Sequence, residues 1–441
     1  MQTDALSFTQ PGGTAQTAYR MVSFPTQLDD PRFSNLFEPL APYDSTEWRL
    51  FSVSEDGFTS PNGGYRERED LRARLETGRG IWLISRSETT LGPVRDTSVR
   101  TDQAYEIPLH EGWNLIGNPF AFDVPISQLR AANTDATLEE VFGYDGTFVP
   151  KTNNDARLEP YGGYLVRLSG GKAGALRIDP TRTETGTALQ KRTTRMTWHV
   201  DVSAQVGRAR DALATFGVAP GAGDGIDPVD GREPPPVGEY VSLAFRPPVQ
   251  GGRLWRDVRG ANGHLQTWTA TVRTDVSGRV TLRATGLRSV PAGTAVWLVD
   301  PALDLKRNLR ETPQYRFPVS GKETTRRLRI LVGSPAAVQE ALGRDGSRPQ
   351  RVRLLPTVPH PVRSHATLRY EVPEPTRVTL ALYDLLGRRV ATLVDGRTVE
   401  AGIHAYTWTR GARGRAVSSG TYLLRLRAGD VTRTGRFVVV R

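Results

Sequence analysis

Short runs of strict alternation constrain this chain more than any other feature. In "TWTATVRT" (Thr267–Thr274) and "RVTLRATG" (Arg279–Gly286), apolar residues stand at every second position between polar ones. That pattern turns to one side only in a strand half-buried in a sheet, where successive side chains point to opposite faces. Further strand-like runs follow between 195 and 333: "RMTWHVDVSA", "EYVSLAFR", "TAVWLVD" and "RRLRILVG". With 44 Gly and 31 Pro to punctuate them, the fold class is all-β, mainly antiparallel β-sandwiches with a few short helices. Two segments carry helical spacing instead and are expected as short helices laid across strands, "YREREDLRARLE" (65–76) and "PISQLRAAN" (125–133).

A chain of 441 residues exceeds one compact core, so several domains are expected. Residues 1–18 are polar and read as disordered. Residues 19–185 look internally duplicated. "YRMVSFP" (Tyr19–Pro25) resembles "WNLIGNP" (Trp113–Pro119), "RLFSVSEDGF" (Arg49–Phe58) resembles "EVFGYDGTF" (Glu140–Phe148), and "GRGIWLISR" (Gly78–Arg86) resembles "YGGYLVRLS" (Tyr161–Ser169). Three motifs in the same order predict two halves of one fold, with Tyr19 over Trp113 and Gly80 over Gly163. Residues 187–335 read as a β-sandwich interrupted by the loop "GAGDGIDPVDGREPPPVG", too rich in Gly and Pro for a strand. Residues 336–351, containing "GRDGSRPQ", read as a linker, and 352–441 as a separate unit with about seven strand signals, the number of an Ig-like sandwich.

Charge is uneven. Residues 1–186 hold 18 Lys+Arg against 26 Asp+Glu, residues 187–335 hold 22 against 13, and residues 336–441 hold 18 against 8. A basic rear half raises nucleic acid or an acidic surface as partner. The basic residues, however, fall singly along strands, without the dense clusters of nucleic-acid modules, so no nucleic-acid partner is expected. No apolar run is long enough to cross a membrane as a helix. Cysteine is absent, which removes disulfides and thiolate chemistry.

The final unit is the most sharply written. In "RVTLALYDLLGRRVATLV", Val378, Leu380 and Leu382 alternate with Thr379, Ala381 and Tyr383; Leu385-Leu386-Gly387 makes a turn, and Val390 and Leu393 return. A second hairpin, "GTYLLRLRAGDVTRTGRFVVV", turns at Gly429-Asp430. Together with "TLRYEVPEPTRVTLALYDLLGRRVATLVDG", "AGIHAYTW", "SSGTYLLRL" and "RFVVVR", this unit resembles the type A C-terminal sorting domain of type IX secretion system cargo from Bacteroidetes and their relatives. It is similar too to the Ig-like domain of flagellar hook-capping proteins. Tyr383, Asp384, Gly387, Gly402, Ser419, Gly420 and Tyr422 fall on motif positions. The departure is at the first turn, where the family has Asn-Pro and this chain has "VPHPV" around His360-Pro361. The resemblance implies the type IX secretion machinery as partner and a secreted or cell-surface location. "MQTDALSFTQPGGTAQTAYR" carries no basic-then-apolar stretch, so export would need a signal peptide not present in this sequence.

Chemistry is sparse. The six histidines, His110, His199, His264, His360, His365 and His404, form no metalloprotease motif, and no nucleophile elbow or phosphate-cradling loop occurs. No catalytic residue is assigned and no enzyme is expected in these residues. Asp224, Asp227 and Asp230, with Glu233, offer hard oxygens suited to Ca²⁺. Their spacing of three fits no established calcium loop and favours aspartates that cap turns, so no cofactor is expected. Trp198, Trp255, Trp268 and Trp297 would stack on a glycan if exposed; in strands they are expected as core, as are Trp48, Trp82 and Trp113. The sequence therefore reads as the non-catalytic rear portion of a secreted or cell-surface bacterial protein. Its β-sandwiches would serve as spacer or interaction modules and its last domain would direct type IX secretion. The alternative is a carbohydrate-binding accessory region of a secreted hydrolase whose catalytic domain lies upstream, with a cell-surface or extracellular glycan as ligand.

Overall fold

The computed structural model describes residues 8–53, 64–91, 96–132, 136–151, 155–170, 174–180, 195–247, 252–261, 264–320, 324–344, 351–355, 357, 361–363, 365–400, 402–409 and 417–440. The architecture is all-β and multi-sheet. Two compact units are formed, one by residues 1–299 with 307–332 and one by residues 300–306 with 333–441.

In the front half of the first unit, eight strands make two four-stranded sheets: β1 Arg20–Val22, β2 Trp48–Val53, β3 Tyr65–Glu67 and β4 Ile81–Ser85, then β5 Gly112–Gly117, β6 Thr137–Tyr144, β7 Phe148–Pro150 and β8 Gly163–Ser169. Their orders are β1-β4-β2-β3 and β5-β8-β6-β7, the same topology twice. Registers agree over the shared pairs, except for a bulge between Leu138 and Glu140 in the second half. Phe51 lies opposite Trp82 and Arg49 opposite Ile84, while Phe142 lies opposite Leu165 and Glu140 opposite Arg167. The acidic-Gly turn of the first half, Glu55–Phe58, lies outside the described residues.

The halves also exchange equal bonds across a local pseudo-twofold. Ser23 N–H donates to the Tyr161 carbonyl at 2.9 Å, and Gly117 N–H to the Gly78 carbonyl at 2.8 Å. Bridges Val22–Gly162 and Ile116–Arg79 repeat the exchange. Gly80 and Gly163 sit where the backbones cross. A Cβ on Gly163 would stand 2.7 Å from the Met21 carbonyl carbon, and one on Gly80 2.7 Å from the Ile116 oxygen. Only glycine admits so close an approach.

Several expectations are corrected here. Residues 8–18 are ordered: Phe8–Gln10 pairs with Thr89–Leu91, and the buried Gln10 amide donates to the Ala18 carbonyl at 2.8 Å. No helix forms over 65–76. Tyr65–Glu67 is a strand, and Asp70 Oδ1 accepts the N–H of Arg72 at 2.9 Å, a local bond that competes with helix. Leu71 and Leu75 still reach the core from the resulting turns. Within 125–133, a 3-10 turn at Ile126–Gln128 passes into a strand, Leu129–Ala131, paired to Gly174–Ile178.

The 187–335 segment is not two separate sheets. Its strands join one eleven-stranded sheet. Seven of these strands are β9 Trp198–Val206, β10 Ala209–Val218, β11 Val241–Arg246, β12 Leu254–Arg259, β13 Leu265–Thr274, β14 Gly278–Thr285 and β15 Gln314–Val319. They run in the order β13-β11-β12-β10-β9-β14-β15. The pair β10–β12 is parallel, the other neighbours antiparallel. Trp198, Phe216, Phe245 and Trp268 meet in this core with ring centroids 5.1–6.2 Å apart, a spacing at which edge-to-face contact adds to area burial.

In the second unit, Pro335–Arg344 is a helix with Val338 and Leu342 buried; the linker reading is wrong for that stretch, and residues 345–350 lie outside the described residues. A run of Ala, Val and Leu at helical spacing (Ala337, Val338, Ala341, Leu342) outweighs the nearby glycines. The strands β16 His365–Val372, β17 Thr376–Tyr383, β18 Arg389–Val399, β19 Gly402–Thr409, β20 Gly420–Ala428 and β21 Val431–Val439 make two sheets. One is Arg353–Leu354 with β16 and β19; the other runs β18-β17-β20-β21. Val378, Leu380, Leu382, Leu424, Leu426 and Phe437 from the four-stranded sheet share a core with Leu368, Tyr370 and Trp408 from the other, an Ig-like sandwich.

Candidate functional site

The hairpin between β17 and β18 is fixed by one carboxylate. Asp384 Oδ1 accepts the N–H groups of Leu386 at 3.0 Å and Arg388 at 2.9 Å, and its Oδ2 accepts Arg388 Nε at 2.8 Å. The Arg388 backbone N–H and guanidinium hold the Asp384 carboxyl below the usual carboxylate range. Gly387 takes φ +78° with nothing within 4 Å of a built Cβ, so its need is conformational rather than steric. The outcome is a rigid tip on which Leu385 and Leu386 are 69% and 80% exposed.

The other motif residues lie elsewhere in the sandwich. Tyr383 ends β17 with Arg425 5.8 Å over its ring. Gly420 opens β20, Gly402 opens β19, and the Tyr422 hydroxyl donates to the Ser418 carbonyl at 2.9 Å beside Ser419. His360 lies outside the described residues. The structure thus groups Tyr383, Asp384 and Gly387 at one hairpin end and leaves Gly402, Ser419, Gly420 and Tyr422 as strand-start residues.

In the aspartate loop, Asp227 accepts the N–H groups of Gly223 at 2.8 Å and Val229 at 2.9 Å; Asp230 accepts those of Asp227 at 3.0 Å and Val258 at 2.8 Å. The first three are local turn-capping bonds, the last ties the loop to strand β12, and Asp224 is exposed. No cluster of three metal-ligating side chains occurs among the described residues. Burial, followed by the charges of Asp227 and Asp257, pushes the Asp230 carboxyl up to about 7. Six of the tryptophans singled out are buried core, and Trp297 is half-buried.

Sequence reading missed a cleft of about 1360 Å³ in the first unit. Two chain segments meet there through Glu140. Its carboxylate accepts Trp255 Nε1–H at 2.9 Å and the Arg232 N–H at 2.8 Å. Val237 and Trp255 join Tyr19, Trp82, Trp113 and Phe142 in one core cluster, so the duplicated sheets and the eleven-stranded sheet share apolar interior. The "EPPPVG" turn, Glu233–Gly238, forms one wall, held by the Tyr65 hydroxyl donating to the Pro235 carbonyl at 3.2 Å. Facing it, Arg49 binds Glu67 through two hydrogen bonds of 2.6 and 2.5 Å and covers the Phe51 ring at 4.8 Å.

At the cleft, the Ser242 hydroxyl donates to Glu233 Oε1 at 2.7 Å and accepts from Arg253 Nη2. The second oxygen of Glu233 and the second terminal nitrogen of Arg253 are buried with no hydrogen-bond partner. Burial, reinforced by Asp211, raises the Glu233 carboxyl above its ordinary range, and burial lowers Arg253. The only sequence signal for this site was the acid beside a proline run in a loop read as a calcium candidate.

No protein-family model matches the chain, and no curated protein matches it either. Among solved structures it is similar to dimeric latent PorU from Porphyromonas gingivalis, with 12% identity and a TM-score of 0.18 over 79% of this chain and 31% of that one. The chain spans about a third of that protein's length.

Proposed function

We propose that the chain is the non-catalytic rear portion of a secreted or cell-surface bacterial protein, whose last domain is read by type IX secretion machinery. The duplicated sheets and the eleven-stranded sheet then serve as a rigid spacer and interaction body. The observation that carries this reading is the β17–β18 tip. Two adjacent leucines held in solvent by a turn bonded through Asp384 forgo about 1.5–3 kcal/mol each of burial, and such exposed apolar groups mark contact sites. Three of the seven residues that resemble the sorting-domain pattern, Tyr383, Asp384 and Gly387, stand at the same tip.

The test is export of the full chain behind a periplasmic signal peptide in a host with type IX machinery. Leu385→Ser with Leu386→Ser should leave the melting temperature unchanged, since both side chains are exposed, and should strand the protein in the periplasm. Unimpaired export of that folded double variant, or a folded parent chain that never leaves the periplasm, refutes the proposal.

A further inference from the structure

From the cleft we infer a binding site for a neutral oligosaccharide, anchored by Glu233 and Arg253. The inference stands apart from export, since it concerns the first compact unit alone. Three observations carry it. First, Glu233 Oε2 and Arg253 Nη1 are buried without partners while their sister atoms are tied to one hydroxyl, Ser242. Buried polar atoms are almost always bonded in native proteins. An unpaired acid oxygen and an unpaired guanidinium nitrogen, on two side chains joined through one hydroxyl, call for a group that donates to one and accepts from the other. A sugar hydroxyl does both, and a vicinal pair spans two such atoms.

Second, the lining is nearly balanced in charge. Six arginines and six carboxylates contribute to it, several already committed to one another, as in Arg49–Glu67. A phosphate, nucleic acid or strongly charged peptide meets repulsion from one set or the other, whereas an uncharged polyol does not. Third, the half-buried rings of Tyr65 and Tyr240 lie among the lining groups, with the buried Tyr19 and Trp113 behind them, and apolar rings with a few placed polar groups are the usual make-up of a small-ligand site. The volume, about 1360 Å³, admits several sugar rings rather than one.

The experiment is calorimetry on the full chain with a panel of neutral hexasaccharides: β-1,4-glucan, xylan, mannan, α-glucan and chitin types. At least one is expected to bind with a dissociation constant below about 1 mM. Glu233→Gln and Arg253→Lys should each weaken it about tenfold or more, the loss expected for one hydrogen bond to a charged group. Should either variant fold poorly, hydrogen exchange on the unmodified chain decides, because the saccharide must slow exchange in residues 232–242 and 252–255. The inference is overturned if no member binds at about 10 mM, if binding ignores both substitutions, or if exchange in those segments does not change on binding. An uncharged proline-rich decapeptide that binds and protects the same segments while the saccharides do not would reassign the cleft to peptide.

Discussion

Removing the Glu140 carboxylate is expected to loosen the junction between the duplicated sheets and the eleven-stranded sheet. Glu140 is 5% exposed and accepts from two donors, Trp255 Nε1 at 2.9 Å and Arg232 N at 2.8 Å. In Glu140→Ala both donors lose a charged acceptor, and each loss costs about 1.5–3 kcal/mol. Allowing for partial rescue by water, the expected destabilisation is about 4 kcal/mol. For a unit of roughly 300 residues the unfolding entropy is near 0.6 kcal/mol/K, so the melting temperature should fall by about 6–7 °C. Glu140→Gln is the sharper test. Each carboxylate oxygen faces an N–H, so the amide must turn its own NH₂ against one of them, and the isostere should still cost about 1–3 kcal/mol. Scanning calorimetry with urea titration measures both. Trp255→Phe combined with Glu140→Ala should cost less than the sum of the single changes, because they remove the same bond. A neutral Glu140→Gln, or an alanine cost below about 1 kcal/mol, refutes the assignment of the junction to these bonds.

Stability should fall as pH rises through the neutral range. The Asp230 carboxyl titrates near 7 when folded and about 3.9 when unfolded, so its contribution is complete below about pH 4 and lost progressively up to about pH 7. Glu233, also raised, acts in the same direction, and urea midpoints that are flat or rising from pH 5 to 8 contradict both. Gly163→Ala should destabilise by about 2–4 kcal/mol through collision with the Met21 backbone; an unchanged melting curve removes the close crossing. Gly387→Ala should cost about 1 kcal/mol and Gly387→Asn clearly less, because the position demands a positive φ and offers space; equal costs in a thermal melt point to sterics instead. Millimolar Ca²⁺ should not shift the melting temperature, since Asp227 and Asp230 already accept backbone N–H groups, and a shift abolished by Asp227→Ala makes the loop a metal clip.

What could be read from sequence followed the range of the interaction. The alternation of Val378, Leu380 and Leu382 is a property of one strand, and all three side chains are buried in the sandwich. The turn at Leu385–Gly387 is equally local, closed by an aspartate three residues before its glycine. Leu71 and Leu75 misled because four-residue spacing says that two side chains share a side, not which backbone brings them there. Asp70 settles that with a bond two residues long. The cleft was hidden for the opposite reason. Glu140 and Trp255 are 115 residues apart, and nothing in either neighbourhood names the other. The loop around Asp227 was visible, but its neighbour Glu233, where the unpaired oxygen lies, was read only as a further ligand for calcium.

Fusing two copies of a fold into one chain frees each position from its twin. In a symmetric pair of identical subunits, the residue opposite Ile84 and the residue opposite Arg167 would have to be the same. Here the first is Arg49 and the second Glu140. Arg49 has become a wall of the cleft, clamped to Glu67 and lying over Phe51. Glu140 has become the anchor that seats Trp255 and the start of the proline turn. The equivalent position thus carries opposite charges in the two halves, one lining the cleft and the other seating a third segment of chain against the pair.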